Sequence, residues 1–371
     1  MKKKILAILC AITCLFACSC GDEDSAFDYS GSQIVAENVK NVILLIGDGM
    51  GPNQIKAGEI VKGEPLFMQG IPQATSVDTS SASDTVTDSA AASTAMSTGT
   101  LTNNGRVGID PNGNQLETIV DIAKRQGKST GIITTEELTG ATPMGFSSHS
   151  LNRGNSTELV AEAVASSNVD LFAGYTYSSA LYPQMYVDAG YELIADVDAI
   201  SDSTASKIFG NYDIFAESPS MFADKSSAAF DRVVIEAIEW LSKNENGFFL
   251  MAEGAHIDHG GHNNDIDYML SELYAFDDTV KAVVSWAANR NDTVVIITAD
   301  HETGGLMFRN TATKENFFEK YWWKTTGHTA TSVNLYFYGN TIDFAELSFI
   351  GQENLIKNTD VFNLMKRYIE K

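Results

Sequence analysis

Residues 42–49 read VILLIGDG: five apolar side chains, then a glycine, an aspartate and a second glycine. The apolar run does not alternate with polar residues. Both faces of the strand it predicts are therefore covered, as in the central strands of a sheet with helices on either side. Two later stretches repeat the form. Phe248-Phe249-Leu250-Met251-Ala252 ends in Glu253-Gly254, and Val294-Val295-Ile296-Ile297-Thr298-Ala299 ends in Asp300-His301. Helical patterns lie between and beside these runs, at 116–125, 228–243 and 268–289. Such alternation predicts an α/β fold with a central, mostly parallel sheet sandwiched by helices. Ligands of these sheets bind beyond the carboxyl ends of the strands, where the acids fall here.

The chain has 371 residues, 44% of them hydrophobic, an ordinary figure for a packed globular protein. It begins with the basic Met1-Lys2-Lys3-Lys4, a short apolar run from Ile5 to Phe16, and Ala17-Cys18. That run is too short to cross a bilayer and reads as a secretion signal, residues 1–17. The cysteine after it is of the bacterial lipoprotein kind, with Cys18 the expected lipidated residue and Cys20 a second candidate. The expectation is an exported protein held on the cell envelope by an N-terminal lipid, facing the periplasm or the outside. Residues 18–38, with Asp22-Glu23-Asp24, read as anchor and acidic tether, and 39–371 as one folded body. Within it, about 175–224 is richer in Tyr, Ser and Asp and reads as a small insertion or lid. All four cysteines (Cys10, Cys14, Cys18, Cys20) lie at this end, so the body has no disulfide framework. Loss of Lys2, Lys3 and Lys4 takes the formal charge from −23 to −26. So acidic a body is a poor nucleic-acid binder but suits divalent cations wherever its carboxylates cluster.

The histidines indicate where. There are six: His149, His256, His259, His262, His301 and His328. Three follow the buried strand at 248–252, interleaved with Glu253 and Asp258, which is a metal-binding composition. Imidazole nitrogen mixed with carboxylate oxygen suits Zn²⁺. Asp258 and His262, four apart, share a face if the segment is helical, although Gly260-Gly261 also allows a loop. Asp300-His301 is a second mixed pair, and His328, in Thr326-Gly327-His328-Thr329, is a candidate to complete one site. Asp48 and Glu253 offer oxygen alone, which suits a harder ion such as Mg²⁺.

One stretch looks like a linker. From Ser80 to Thr100, 17 of 21 residues are Ser, Thr, Ala or Gly. Yet Ala90-Ala91-Ala92-Ser93-Thr94-Ala95-Met96 is compatible with a helix that Gly99 ends. Ser89 then stands at the helix N-terminus, where free N–H groups and the dipole favour an anion. A serine hydroxyl is a weak nucleophile, and a metal ion is one means of activating it.

Ile46-Gly47-Asp48-Gly49-Met50-Gly51, Thr87-Asp88-Ser89-Ala90, Thr298-Ala299-Asp300-His301 and Gly327-His328-Thr329 together resemble the signature blocks of alkaline phosphatases. They occur in the family's order and span about 40–329. The resemblance implies a phosphate monoester hydrolase of broad substrate range, with phosphate scavenging as its role and a phosphoserine intermediate on Ser89. It implies two Zn²⁺ and one Mg²⁺. Asp258, His262 and His328 would hold the first zinc; Asp48, Asp300 and His301 would hold the second, which activates Ser89. The magnesium would take Asp48, Thr142 and Glu253. Arg153, eleven residues after Thr142, stands at the family's spacing for the phosphate-binding arginine, a task its two-pronged fork suits. His259 is expected to contact phosphate or water. Gly140 departs from the pattern, since relatives carry Asp or His there, and this bears on magnesium affinity. The chain is short for the family, so a homodimer is left open. The rival readings are a phosphodiesterase or sulfatase of the same superfamily, or a surface lipoprotein that binds without catalysis. Arg153 and Ser89 favour the monoesterase.

Overall fold

A computed structural model describes residues 36–176, 181–212, 229–340 and 355–371, together with Phe27, Tyr29, Ile342, Phe344 and Leu347. The expected signal segment and most of the expected tether lie outside the described residues. β1 (Asn41–Gly47) leads through α1 (Pro52–Lys62) to β2 (Gln73–Asp78). The chain continues through α2 (Ser89–Thr98) and α3 (Ile119–Arg125) to β3 (Ser129–Glu137), then α4 (Ala141–Gly145), α5 (Ser156–Ser166) and β4 (Leu171–Tyr175). Next come α6 (Leu181–Asp188), β5 (Glu192–Ile194), β6 (Ile208–Asn211), α7 (Ala229–Leu241) and β7 (Phe248–Gly254). α8 (His256–His262) and α9 (Ile266–Ala288) precede β8 (Thr293–Thr298). Four short strands follow: β9 (Glu302–Thr303), β10 (Met307–Phe308), β11 (Tyr321–Trp322) and β12 (His328–Thr329). β13 (Val333–Tyr338), β14 (Leu355–Lys357) and α10 (Asn358–Ile369) complete the order.

The main sheet has ten strands in the order β14-β2-β13-β8-β1-β7-β3-β4-β6-β5. Its pairings are parallel except those of β13, which runs against both β8 and β2. Every residue of β1, β7 and β8 is buried. The unbroken apolar runs thus fill the middle of the sheet, each large aliphatic side chain contributing roughly 1.5–3 kcal/mol by leaving water. The three expected helices are α3, α7 and α9. The last buries Met269, Leu270, Leu273, Phe276, Val280, Val283, Val284 and Ala287, the stripe that a 3.6-residue period places on one face. The linker-like stretch contains α2, all of whose residues are buried.

The described part of the stretch expected as an insertion or lid, about 175–224, holds α6, β5 and β6. The two strands extend the far edge of the same sheet beyond β4. Residues 177–180 and 213–228 are outside the described residues. No described helix is long and apolar enough to cross a membrane.

Candidate metal centre

The register of the central strands assembles the acids. Ile46 of β1 lies opposite Glu253 of β7 and Thr298 of β8. Asp48 and Asp300, each two residues further on, therefore emerge side by side at the carboxyl edge with Glu253 beside them. Gly49 makes this possible. It sits at φ 72°, and a Cβ there would lie 2.7 Å from the Asp258 backbone. Its N–H donates to Asp300 Oδ1 at 3.2 Å. β13 explains how His328 arrives: running in reverse, it has its beginning at this edge, and β12 just before it carries the histidine.

Asp258 and His262 share a face of α8, with His262 Nε2 3.2 Å from Asp258 Oδ2. His328 Nε2 stands 3.7 Å from Asp258 Oδ1 and 3.2 Å from His262 Nε2. Backbone carbonyls fix both rings, because a carbonyl only accepts: Thr326 takes the Nδ1–H of His262 at 2.5 Å and Thr87 that of His328 at 2.9 Å. Each Nε2 is thereby turned toward the cluster. Thr303 does the same for His301. Its hydroxyl donates to Asp258 and so accepts from His301 Nδ1, 3.2 Å away. His301 Nε2 then faces Asp300 Oδ2 at 3.1 Å, Asp48 Oδ1 at 3.6 Å and Ser89 Oγ at 3.2 Å.

Ser89 opens α2 after the cap Asp88, whose side chain accepts from Ala91 N at 3.0 Å. The second oxygen of Asp88 accepts from Gly105 N and from Arg153 Nη1, at 3.0 and 3.2 Å, so the cap also holds the arginine beside the nucleophile candidate. The small residues of α2 let it lie close against α4. Ser93 Oγ donates to Ala141 O at 3.2 Å and Ser97 Oγ to Gly145 O at 2.5 Å, while a Cβ at Gly145 would fall 2.2 Å from Ser93 Oγ. This contact brings the α4 residue Thr142 into the core of the site.

The electrostatics call for cations. Burial, then the charges of Asp300, Asp258, Glu253 and Glu136, push the Asp48 carboxyl well above the ordinary range. Burial and then Glu136 do the same to Glu253. Burial also works against ionised Asp258, but His262 and His301 outweigh it and hold that carboxyl low. The hydrogen bond to Asp258 in turn raises His262 to about 9. His301 is lowered by burial. Among the described residues, Asp48 Oδ1, Asp300 Oδ2, Glu253 Oε1 and Thr142 Oγ1 are buried and form no hydrogen bond. Leaving such atoms unpaired in a protein interior costs several kcal/mol in typical cases, on the order of 1–3 each. The ring nitrogens of His262 and His328 need a proton or a cation between them. Ligand atoms of Asp48, Asp300 and His301 lie within 4.8 Å of one another, as do those of Asp258, His301 and His328. Mixed N/O donors at one end and orphaned oxygens at the other fit divalent cations of the zinc and magnesium types.

The remaining histidines are not among these grouped ligand atoms. His149 pairs with Glu162 at 2.7 Å and Leu116 O at 2.8 Å. His256 packs against His259 at 4.8 Å, and burial depresses it to about 3. His259 Nε2 is 3.7 Å from Glu136 Oε2. Sequence reasoning gave no role to Thr303, Glu136 or the Asp88–Arg153 bond. Only the cap position of Asp88, before a helix, carried a local signal.

A family model described as Alkaline phosphatase matches residues 39–176 and 220–346, and its gap falls within the stretch expected as an insertion. Alkaline phosphatase 4 of Bacillus subtilis is 30% identical over 287 residues, 72% of this chain and 62% of that protein. The chain thus spans about three fifths of that relative's length. Alkaline phosphatase of Escherichia coli is 31% identical over 349 residues, covering 76% of this chain and 73% of that protein. The alkaline phosphatase from the Antarctic bacterium TAB5 superposes with a TM-score of 0.78 at 30% identity, covering 90% of this chain and 98% of that one. A variant of the TAB5 enzyme with Mg bound in its M3 site superposes at 0.77 with the same identity and coverage.

Proposed function

The chain belongs to the alkaline phosphatase family, and from that premise we propose that it hydrolyses phosphate monoesters through Ser89. The observation that carries the reading is the placement of Ser89 Oγ, at the N-terminus of α2, 3.2 Å from His301 Nε2 and beside an arginine held by Asp88. Asp258, His262 and His328 would hold one Zn²⁺, Asp48, Asp300 and His301 a second, and Asp48, Thr142 and Glu253 an Mg²⁺. When bound, such ions supply Lewis-acid charge at the oxygens entering and leaving phosphorus and favour the deprotonated serine.

The protein's own groups do the rest. Arg153 gives Nη1 to Asp88 and keeps Nη2 and Nε for two phosphoryl oxygens, a grip that a dianionic group satisfies best. The free N–H groups at the start of α2 add positive potential at the same place. Ser89 Oγ attacks phosphorus; the Oγ–P bond forms, the P–O bond to the alcohol breaks, and phosphoserine and the free alcohol result. Water then attacks phosphorus from the side the alcohol vacated, the P–Oγ bond breaks, orthophosphate leaves and Ser89 regains its proton. His259, partly exposed on α8, would contact phosphate or water. Recognition centred on the phosphoryl group leaves the alcohol weakly specified, which suits a broad substrate range and phosphate scavenging. The leader 1–17 and Cys18 support export and lipid attachment ahead of a catalytic body at 39–371.

The test is kcat/KM for an aryl phosphate monoester against the matching methyl phosphodiester, for the protein and for Ser89→Ala. The monoester should be preferred by orders of magnitude, and the substitution should cost about 10³-fold or more. Equal use of the diester would move the protein to phosphodiester hydrolysis. Undiminished activity of Ser89→Ala would remove the phosphoserine route.

A further inference from the structure

Gly140 precedes α4 with φ −57°, a conformation open to any residue, so its lack of a side chain is a matter of space rather than backbone. The space is taken. A Cβ at 140 would lie 1.9 Å from Glu136 Oε1, 2.7 Å from Glu136 Cδ and 2.9 Å from the backbone carbonyl of Glu137. Glu136 stands where β3 loses its regular register with β4, between Ile133 and Glu137, and its side chain is about one-fifth exposed. Its other oxygen, Oε2, is 3.7 Å from His259 Nε2. Its charge bears on Glu253 and Asp48, at the oxygen-only end of the cluster, where Glu253 Oε1 and Thr142 Oγ1, on fully buried residues, form no hydrogen bond.

A glutamate in this position adds negative charge to an already acidic pocket. That is unfavourable unless a cation is shared among the carboxylates or the new charge has its own partner. His259 is a partial partner, at a distance longer than a hydrogen bond. An Mg²⁺-type ion, which keeps part of its water shell when bound by protein carboxylates, supplies the rest.

We propose that Glu136 is a positioning residue of the oxygen-only cation site of Asp48, Thr142 and Glu253, its carboxylate filling the place a side chain at position 140 would take and accepting from the ion's retained waters. The inference rests on the three-ion reading above. It specifies which residue tunes the third ion in this chain, and it assigns His259 as the ionic partner that keeps Glu136 turned inward.

The experiment is calorimetric titration of MgCl₂ into the full chain already loaded with two equivalents of Zn²⁺, with zinc content measured in parallel. The unaltered protein should bind one Mg²⁺. Glu136→Gln, of the same shape, should bind it roughly 10- to 100-fold more weakly with zinc content unchanged. Gly140→Asp alone should also weaken binding, because the new carboxylate collides with Glu136. The double substitution Glu136→Ala with Gly140→Asp, which moves the carboxylate to the other side of the same space, should recover part of the affinity, with the Glu137 carbonyl still crowding the new Cβ. Equal affinity in the unaltered protein and Glu136→Gln would overturn the role of Glu136 and leave the three-ion reading standing. Absence of Mg²⁺ uptake by the unaltered protein would overturn that reading and the inference with it. Loss in Glu136→Gln accompanied by loss of zinc or by a lower melting temperature would make Glu136 a structural residue and overturn its role at the ion.

Discussion

At the outer end of the acidic cluster, the His262 and Arg153 side chains are 40% and 41% exposed, and the available donors mix nitrogen with oxygen. At the inner end, Glu253 and Thr142 are fully buried and offer oxygen alone. Asp48 belongs to both, since its carboxyl lies beside Asp300 and His301 and also feels Glu253 and Glu136. The contrast separates two tasks. In the proposed reaction an alcohol and a water would come and go at the outer end, where the groups are reachable. The inner end is buried charge between β7 and α4, and it governs whether the core beneath the site is electrostatically tolerable.

Progressive chelation should break the two ends apart most visibly. Activity should vanish in a first phase, as the exposed end loses its ion, with little change in thermal midpoint. A second phase should lower the midpoint, because an ion present at 1,000 times its Kd stabilises the folded state by about 4 kcal/mol. Enzyme assay and scanning calorimetry along one chelator series check this; activity and midpoint falling together would erase the distinction. Next in size is Arg153→Ala, confined to the outer end. It should lower kcat/KM for a monoester roughly 10- to 100-fold, the worth of charged hydrogen bonds, without moving the melting temperature. A fall in melting temperature comparable to that of the second chelation phase would place Arg153 in the structural half.

The smallest effect concerns a buried acid that belongs to neither candidate cluster. Burial raises Glu272, on α9, to about 7, against the opposing charge of His259. The folded chain therefore keeps a proton that the unfolded chain releases above its ordinary pKa. Stability is lost as pH climbs from about 4.5 to about 7 and stays lost above. Glu272→Gln should remove that penalty, on the order of 2 kcal/mol, at alkaline pH, and bring no gain below about pH 4. Melting curves of both proteins across this range decide it, and a gain independent of pH would mean that Glu272 titrates alike in the folded and unfolded chain, its burial offset by a partner.

The sheet's centre was legible because β1, β7 and β8 write their two-sided burial as unbroken apolar runs and stop at Asp48, Glu253 and Asp300. Ser89 at the start of a helix was legible through the small-residue run of 90–96 and Gly99, since helix propensity and C-terminal caps are local chemistry. The far edge was not: β5 and β6 are three and four residues long, and Glu192 and Leu193 are exposed, so neither the length nor the pattern of a strand is there to read. Thr303 and Glu136 escaped for another reason. Each acts on a residue brought near only by folding, Thr303 on Asp258 and Glu136 on His259, and nothing in their own surroundings in the chain announces it.

The reversed direction of β13 has a consequence for how the protein comes into being. Asp48 and His328 are 280 residues apart, and crossovers rather than hairpins join most of the parallel strands between them. Folds of such high contact order gather their distant pieces slowly. A chain made from its amino end has Asp48 long before, and Glu253 and Asp300 before, the β12–β13 segment docks against β8 and brings His328 in. Full cation capture thus comes late in assembly. Bound metal, measured on a newly made chain, would report that nearly the whole polypeptide has found its place, and a chain cut short before β12 would keep the crowded carboxylates without the imidazole that completes their company.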